Sequence, residues 1–576
     1  MSTTSARGPV DVQSHLGLSA ARTPARQAQA HLPTRRPAGL VAGLTAALPF
    51  LVTLIALSVG RWSPTGDEAV IAWRSWDVLA GPSPLVGQFT QATSASTVPV
   101  FDPGPLLYWV VAPATHLWPG AGAAVAGLGL GAICVLVACL AAGSAGGRAA
   151  AWSVAAGMLV LTAALASVVV EAPSWNPYAG LAPFAGLLVV GTVIAVGRIG
   201  WLPAGIALGS FVAQTHLMFA PAAALVVLVG GAMGMLRRRG VVSEKKQPAR
   251  RWLAGTLVVT TACWWPVVVQ QLTGHPGNAG ALLHATLNGP GPTVGWTRAL
   301  GAMGEILGPV PAWLHPPASF ASSAVEPTGG DAARTVIVLV ALVVVCVVAL
   351  RRGQPGLGAA AAVAVASMAG ALWAVAGIGV EAVASYAYIR FVGWPVALVA
   401  ELVVIWGIGT LAWPGLRRIT ASRRVVRPLS GLAVLLSVLL SAAAALGSGS
   451  QAALGREQPR GAAIAMARST ARLIGRPARQ GQRLAVAVTE PPGLTAVSLM
   501  TATGYQLRTA GWTPSLPPPW SQVLDPRYRQ RPSDPLLGVG PVPPGARVLG
   551  QVDVPLLGVG TGRTPTRSTP VWLLGG

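Results

Sequence analysis

The stretch GLVAGLTAALPFLVTLIALSVG, residues 39–60, contains no charged side chain. A helix of about 20 apolar residues crosses roughly 30 Å of hydrocarbon, and a helix satisfies its own backbone hydrogen bonds there. The stretch therefore predicts a transmembrane helix. Further apolar runs lie at about 105–143, 149–170, 178–197, 201–236, 252–271, 334–350, 356–378, 391–413 and 428–446.

The composition agrees with many such helices. The 576-residue chain is 53% hydrophobic and 10% charged, with a mean hydropathy of +0.60. This is too little charge to cover a soluble globule, so the chain is predicted to be an all-α polytopic membrane protein. The formal charge of +23 does not indicate a nucleic-acid partner, because the arginines lie mainly in loops and in the tail. The preference for Arg over Lys and the 70 Gly suggest a GC-rich bacterial genome, such as an actinobacterial one.

Two of the runs, 105–143 and 201–236, are too long for one simple crossing. Cytoplasmic loops of membrane proteins are enriched in Lys and Arg, and this rule decides how the runs divide. The Arg-bearing leader and the five Arg-bearing loops of the membrane half fall on one side if 105–143 crosses once after a partial or re-entrant helix, and if 201–236 is a hairpin broken near QTHLMFAP (214–221). The result is about eleven crossings, with the N-terminus in the cytoplasm and the C-terminus outside.

This topology divides the chain into three parts. Residues 1–38 form a polar leader, predicted to be a disordered cytoplasmic tail. Residues 39–447 form the transmembrane domain, with outer loops at 61–104 and 272–333. Residues 448–576 are predicted to be a small extracytoplasmic α/β domain. Its predicted elements are strands at 482–490 and 546–555, an amphipathic helix at 493–511, and a Pro-rich surface loop, TPSLPPPW, at 513–520.

Aromatic residues of the C-terminal part allow two interpretations. Flat rings stack on the faces of sugars and would bind a glycan acceptor. Alternatively, the same rings pack in the core of the domain. The residues concerned are Tyr505, Trp512, Trp520 and Tyr528.

Acidic residues are rare, 17 Asp plus Glu in the whole chain, yet several follow the first helix directly. Asp67, Glu68 and Asp77 lie in RWSPTGDEAVIAWRSWD, residues 61–77. The tryptophans of this stretch, Trp62, Trp73 and Trp76, are predicted at the lipid interface, which suits their amphipathic rings. Asp102 lies in VFDPGPLLYW, residues 100–109, where prolines and a glycine predict a turn at the same depth.

Carboxylates and half-buried rings at this depth suit a reaction between a lipid-borne group and a water-soluble acceptor. A carboxylate there either takes a proton from an acceptor hydroxyl or helps to hold a divalent metal, and desolvation raises its pKa. A phosphate leaving group also needs a cation. Arg390 and His216 are predicted to lie at the same membrane depth as the acidic residues. In the simpler interpretation, Arg390 snorkels to the interface and His216 caps a helix break.

Asn176, Tyr178 and Tyr388 complete the set of candidate binding residues. Asn176 and Tyr178 lie in EAPSWNPYAG (171–180), and Tyr388 lies in EAVASYAYIR (381–390), both predicted to be outer turns. Because Asn-Pro is a common turn signal, Asn176 and Tyr178 are also explained as turn formers.

The order of these parts resembles the GT-C class of integral-membrane glycosyltransferases, which includes protein O-mannosyltransferases and aminoarabinose transferases. The resemblance covers about residues 39–450. It depends on four stretches: GDEA (66–69), DPGPLLYW (102–109), GIALGSFVAQTHLMFAPAAAL (205–225) and RFVGWPVAL (390–398). Phe391 stands where the family has Tyr, and GPLLYW has no basic residue, so the donor sugar and the phosphate contacts stay open.

The resemblance implies a polyprenyl-phosphate-linked sugar donor, a glycan, lipid or protein acceptor, and inversion by direct displacement. Asp67 is then the catalytic base or a metal ligand, with Glu68 as its neighbour and Asp102 as a second acidic site residue. His216 is a polar site residue and Arg390 contacts the lipid phosphate. Any divalent metal, Mg or Mn, is expected on Asp67 and Asp102.

Two other functions are open at this point. A multi-pass transporter or lipid flippase would show matching inverted halves and ionisable groups near the bilayer midplane. The halves do not match visibly, and Glu401 is the one clear midplane acid. A surface-polysaccharide polymerase or ligase would use arginines in its large outer loop, but 272–333 contains only Arg298.

Overall fold

The computed structural model describes the chain in segments, and its elements confirm the predicted fold class: a helical membrane part and a small C-terminal α/β domain. Within the described residues, eight helices are long and apolar enough to cross a membrane, so the chain is a multi-pass membrane protein. The described residues are 35–59, 62–90, 93, 98–165, 172–239, 249–288, 292–308, 329–380, 392–412, 431, 435, 439, 459–489, 494–518, 520–555 and 566–575.

The helical part follows the predicted apolar runs closely. Long helices α1 and α4 pack against each other, as do α8 and α13. Its helices are α1 (Arg35–Val59), α2 (Asp67–Ala80), α3 (Leu106–Leu117), α4 (Gly122–Ala164), α5 (Asn176–Ala179), α6 (Leu181–Ala195), α7 (Leu202–Thr215), α8 (Ala220–Arg239), α9 (Ala249–Thr273), α10 (Asn278–Asn288), α11 (Gly295–Ile306), α12 (Gly329–Arg351), α13 (Pro355–Ala376) and α14 (Gly393–Gly407).

The predicted division of the first long run is confirmed. Helix α3 has 12 residues, about 18 Å, and is too short to cross a membrane. Helix α4 has 43 residues and is interrupted at Gly147, where φ is 73° and ψ is −157°. A positive φ of this kind favours glycine, and the break lies in GSAGGR (143–148), between the predicted apolar runs 105–143 and 149–170. Gly147 therefore divides α4 into two apolar helical segments, 122–146 and 148–164.

The predicted hairpin in the second long run is also present. Helix α7 ends at Thr215, His216 has the extended angles φ −157° and ψ 128°, and α8 begins at Ala220 after a short 3-10 turn. The two helices pack against each other. The break lies at His216, within the predicted 214–221.

The predicted total of eleven crossings stays a prediction. The predicted helix at 428–446 falls almost entirely outside the described residues, as do Tyr388 and Arg390. The predicted outer loop at 272–333 contains α10, α11 and the start of α12 in its described parts.

The C-terminal domain has a five-stranded sheet with the order β2-β1-β3-β5-β4. Strand β1 is parallel to β2 and β3, whereas β5 is antiparallel to β3 and β4. The predicted strands and helix of this domain are confirmed as β1, β4 and α16. The elements are α15 (Pro459–Ile474), β1 (Arg483–Val488), α16 (Leu494–Thr509), β2 (Thr513–Ser515), β3 (Leu536–Val539), β4 (Arg547–Pro555) and β5 (Thr566–Leu574).

Two local expectations were wrong. The Pro-rich 513–520 was predicted to be a surface loop, but its first three residues are strand β2, with Pro514 and Ser515 buried against β1. The tryptophans Trp62 and Trp73 were predicted at the lipid interface, yet both are buried. Trp73 packs edge-on against Tyr528 of the C-terminal domain at 4.9 Å, because that domain covers α2.

The aromatic residues of the C-terminal domain mostly form its core. Tyr505, Trp512 and Tyr528 are buried, and only Trp520 is partly accessible. The rings of Tyr505, Trp512 and Tyr528 are therefore not available to stack on a glycan, and these three residues belong to the core of the domain.

Candidate active site

The start of α2 is fixed by a glycine and by contacts to the C-terminal domain. Gly66 precedes the helix with φ 58° and ψ −134°, a backbone conformation that residues other than glycine rarely adopt. The hydroxyl of Thr501 donates to the Gly66 carbonyl at 3.1 Å. Asp67 and Glu68 occupy the first turn, where the helix dipole favours negative charge.

Three consecutive residues of the turn at 172–176 bind the three predicted site carboxylates. Ser174 donates to Glu68 Oε1 through its backbone N–H at 3.0 Å and its hydroxyl at 2.9 Å. The indole of Trp175 donates to Asp67 Oδ2 at 2.8 Å. The Asn176 amide donates to Asp102 Oδ2 at 3.3 Å. Carboxylates from two distant segments are thereby brought to one turn.

Asp102 also connects this turn to the break between α7 and α8. Its Oδ1 accepts the backbone N–H of Leu217 at 3.0 Å. The side chain of Asn278, at the start of α10, holds the preceding residue Phe101: its Oδ1 accepts the Phe101 backbone N–H at 2.9 Å, and its Nδ2 donates to the Phe101 carbonyl at 3.0 Å. Asp102 is thus fixed from three directions.

The Asp102 turn approaches α7 so closely that glycines are required there. A Cβ on Gly87 would lie 2.8 Å from Asp102 Cβ. A Cβ on Gly104 would overlap the side-chain oxygen of Gln214 and lie 2.9 Å from Val267. Larger side chains would push the turn away from α7.

A buried tyrosine and a buried glutamine form a hydrogen-bonded pair near the carboxylates. The Tyr108 hydroxyl donates to Gln88 Oε1 at 2.9 Å, and both residues are buried. Burial is the main cause that raises the pKa of Tyr108, while Arg74 lowers it and the charges of Asp102 and Asp67 raise it. Tyr108 is therefore within electrostatic reach of both carboxylates and of Arg74.

The remaining predicted residues are placed as follows. Asn176 and Tyr178 are buried in α5, and the Tyr178 ring packs edge-on against Trp175 at 4.9 Å. His216 lies at the helix break and its Nδ1 accepts the backbone N–H of Met218 at 3.3 Å, next to the Asp102–Leu217 contact. The structure therefore brings Asp67, Glu68, Asp102, Asn176, Tyr178 and His216 to one end of the helical part.

The three carboxylates differ in accessibility. Glu68 is 3% exposed and Asp102 is 2% exposed, and both oxygens of Asp102 accept hydrogen bonds. Asp67 is exposed, and its Oδ1 accepts no hydrogen bond from the described residues. Asp67 is therefore the carboxylate that an incoming molecule can reach.

Burial also raises the pKa of two of these carboxylates, Asp67 and Asp102. Desolvation by the surrounding protein atoms raises the pKa of Asp67, although its surface is accessible; the Trp175 hydrogen bond opposes this shift, and the charge of Glu68 adds to it. Burial raises the pKa of Asp102 well above 3.8, against the hydrogen bonds from Leu217 and Asn176. A raised pKa makes Asp67 a stronger base than a free carboxylate.

A metal site is not assembled by the described residues alone. They contain no group of three or more His, Cys, Asp or Glu that is arranged to hold a metal ion. Glu68 and Asp102 already accept hydrogen bonds from Ser174, Asn176 and Leu217, which leaves few free oxygens for a divalent ion. The metal prediction stays a prediction, and no chemical step is assigned to a metal.

A narrow apolar cleft with room for about 30 Å³ adjoins the same turn. Pro173 and Tyr178 line it at the polar end, and Phe50 of α1 and Gly131 of α4 line it within the helices. The 172–176 turn thus separates a polar cluster from an apolar cleft.

Several site residues were missed in the sequence. Ser174 and Trp175 directly precede the predicted Asn176, but the local sequence does not show that their N–H and O–H groups donate to carboxylates. Gln88, Tyr108 and Gln214 lie within apolar or neutral stretches and carry no charge that would distinguish them.

Comparisons with known proteins give a distant likeness. No protein-family model and no curated protein matches the sequence. A crystal structure of ArnT from Cupriavidus metallidurans bound to undecaprenyl phosphate is 15% identical with a TM-score of 0.48, and one of ArnT in the apo state is 14% identical with a TM-score of 0.49. Each comparison covers 92% of this chain and 97% of that chain. Scores below 0.5 do not carry the identity or the activity of ArnT over to this chain.

Proposed function

We propose that this chain is a membrane glycosyltransferase of the GT-C class, which moves a sugar from a polyprenyl-phosphate-linked donor to a cell-envelope acceptor. The observation that carries this proposal is the 172–176 turn. On one side it binds Asp67, Glu68 and Asp102, and on the other it borders the apolar cleft. A polar site and an apolar site on one turn suit a substrate with a polar head and a hydrocarbon chain.

The cleft supports a lipid-linked donor. Its lining is apolar apart from Thr162 and Tyr178, and it lies among helices that cross the membrane. Its present volume of about 30 Å³ is less than a prenyl chain needs, so the walls must move apart when the chain enters. The head group would then lie beside the 172–176 turn.

Asp67 is the proposed general base. Its open Oδ1 takes the proton of the acceptor hydroxyl while the acceptor oxygen attacks the anomeric carbon. The bond between that carbon and the phosphate oxygen breaks, and polyprenyl phosphate leaves with the electron pair. Direct displacement of this kind inverts the anomeric centre.

The other carboxylates have positioning roles in this proposal. Glu68 holds Ser174, and Asp102 holds Asn176 and Leu217, so both fix the walls of the site rather than exchange protons. Asn176, Tyr178, His216 and Tyr388 are proposed to contact the donor. Arg390, outside the described residues, is proposed to contact its phosphate.

The orientation is also a proposal. The site, α2 and the C-terminal domain lie at one end of the helical part. The Arg-bearing loops of the membrane half lie between other helix ends, and the enrichment of Lys and Arg in cytoplasmic loops supports a site on the outer face with the N-terminus in the cytoplasm. The donor sugar is a hexose or a pentose, and the acceptor is a glycan, a lipid or a protein.

Transfer is tested with purified protein in nanodiscs. We expect it to release polyprenyl phosphate from at least one polyprenyl-phosphate sugar in a panel of pentosyl and hexosyl donors, with an envelope extract as the acceptor source. Mass spectrometry of the lipid product measures the release. A protein that binds the donor and carries it between leaflets, with the glycosidic bond intact, would contradict the proposal and favour a flippase.

The pH dependence of kcat/KM tests the role of Asp67. A base acts when deprotonated, so kcat/KM rises with pH through the pKa of Asp67, which lies above 3.8. Trp175→Phe removes a hydrogen bond to the charged form, so the acidic limb should move to higher pH. Glu68→Gln removes a nearby negative charge while its amide oxygen still accepts from Ser174, so the limb should move to lower pH.

Shifts of the two variants in the same direction would contradict this assignment. So would an acidic limb that neither variant moves, since the titrating group would then not be Asp67.

A further inference from the structure

Asp77 is a buried carboxylate near the end of α2 that the proposed reaction does not use. It is 0% exposed. Its carboxylate pairs with Arg74 at 3.3 Å, Arg508 at 3.2 Å and Arg527 at 3.3 Å, and it accepts the Tyr528 hydroxyl at 2.6 Å. We call these five residues the Asp77 cluster.

The cluster joins α2 to the C-terminal domain. Arg508 lies at the end of α16, and Arg527 and Tyr528 lie in the 3-10 turn Pro526–Tyr528. Arg74 adds a second link, at 3.3 Å, to Asp525. These partners are more than 400 residues from α2 in the chain.

Contacts at the other end of α2 involve the same domain. Gln506 donates to the Ser63 hydroxyl at 2.9 Å, and Thr501 donates to Gly66 at 3.1 Å. Between the two ends, a Cβ on Gly504 of α16 would overlap the Trp73 ring, so the two helices are packed as closely as a glycine allows. Helix α2 is therefore held against α16 along its length.

The charges explain why the stability of the Asp77 cluster depends on Asp77. A buried carboxylate is stable only when it is paired, and removing one partner leaves the others uncompensated. Without the charge of Asp77, Arg74, Arg508 and Arg527 would face one another with Asp525 as the remaining described counter-charge. Burial raises the pKa of Tyr528 to about 12, and the charge of Asp77 adds to the shift. Tyr528 therefore stays protonated, and its hydroxyl donates the hydrogen bond to Asp77.

We propose that Asp77 is a positioning residue through which the C-terminal domain holds α2, and with it Asp67, beside the 172–176 turn. Ten residues of helix, about 15 Å, separate Asp77 from Asp67, so a rotation or shift at the cluster is transmitted to the start of the helix. The consequence for catalysis depends on the proposed function, whereas the consequence for the position of α2 does not.

Hydrogen exchange of the full-length protein in nanodiscs tests the structural part. Asp77→Asn is expected to speed exchange in peptides covering 67–76 at least tenfold and to leave β1 unchanged. Asp534→Asn is the matched control, because Asp534 is also buried and paired, with Arg483 at 2.7 Å, but lies inside the domain. It should loosen β1 and leave α2 protected. Unchanged exchange in α2 of Asp77→Asn would overturn the proposal.

A milder variant keeps the test decisive if Asp77→Asn does not fold. Tyr528→Phe removes only the 2.6 Å hydrogen bond and retains the ring against Trp73. It should speed exchange in 67–76 severalfold, and α2 exchange equal to that of the unsubstituted protein would overturn the proposal.

Turnover then separates positioning from general loss of structure. Asp77→Asn is expected to lower kcat at least tenfold and to change the donor KM less than kcat, because Asn176, Tyr178 and His216 of the proposed donor site lie outside α2. A raised KM with unchanged kcat would contradict the positioning role. If the unsubstituted protein transfers no sugar, the proposed function fails, but the exchange measurement still decides whether Asp77 holds α2.

Discussion

Asp67→Asn is expected to lower the turnover of sugar transfer by about 10³-fold, within the range of general bases. The substitution keeps the shape of the side chain and an oxygen that accepts from Trp175, but it removes the group that takes the acceptor proton. The fold should be retained, since Asp67 is exposed and has one hydrogen bond among the described residues. Turnover and thermal unfolding, both in nanodiscs, measure the two effects.

Asp553→Asn provides the control for this prediction. Asp553 is exposed on β4 of the C-terminal domain, away from α2, so turnover should be unchanged. Turnover by Asp67→Asn within tenfold of the unsubstituted protein would remove Asp67 from the role of base. If Glu68→Gln then lost turnover instead, the base would be Glu68.

Gly104→Ala is expected to lower turnover by roughly 10²-fold, the cost of misplacing a site by about 1 Å. The new Cβ would overlap the Gln214 side chain, whose Cδ would be 2.6 Å away, and would lie 2.9 Å from Val267. The turn that carries Asp102 must then move away from α7, and the contact between Asp102 and Leu217 lengthens. Overpacking of this kind costs about 1–3 kcal/mol, so the unfolding temperature should also fall.

A control and a rescue variant make the Gly104 prediction specific. Gly129 of α4 has open space where its Cβ would be, so Gly129→Ala should leave both turnover and unfolding temperature unchanged. Adding Gln214→Ala to Gly104→Ala removes the overlapping atoms and should restore part of the turnover. Normal turnover and stability of Gly104→Ala alone would contradict the close approach of the Asp102 turn to α7.

The membrane helices were predictable because their signal is local. A run of about 20 apolar residues has one stable structure in hydrocarbon, whatever surrounds it. The distribution of arginines also predicted how the two long runs divide, between α3 and α4 and at His216, since the charge bias of loops fixes which runs must divide. These properties do not depend on contacts between distant residues.

The site was predictable in part. Acidic residues are scarce in the chain, so the sequence singled out Asp67, Glu68 and Asp102, and the structure brings these three carboxylates to the 172–176 turn. Their individual environments were not predictable. Whether a carboxylate is exposed like Asp67 or buried like Asp102 depends on the 172–176 turn and on Leu217, whose positions follow from tertiary packing.

The long-range contacts of α2 were beyond the sequence. Trp73 and Trp76 have the pattern of interface tryptophans, and nothing in the neighbouring sequence indicates that Tyr528 of the C-terminal domain packs against Trp73. The same holds for Asp77, whose partners lie in α16 and the following turn. Strand β2 was missed because Pro514 and the prolines after it are typical of loops. Pro514 is compatible with this strand because β2 lies at the edge of the sheet, where no further strand needs the missing N–H.

The most direct test of the proposed site is a cryo-EM structure of Asp67→Asn in nanodiscs with a polyprenyl-phosphate sugar. The predicted result is density for the sugar and phosphate between residue 67, the 172–176 turn and His216, with the prenyl chain entering the cleft beside Pro173 and Tyr178. Lipid bound at another surface, or a 172–176 turn that does not contact Glu68 and Asp102, would contradict it.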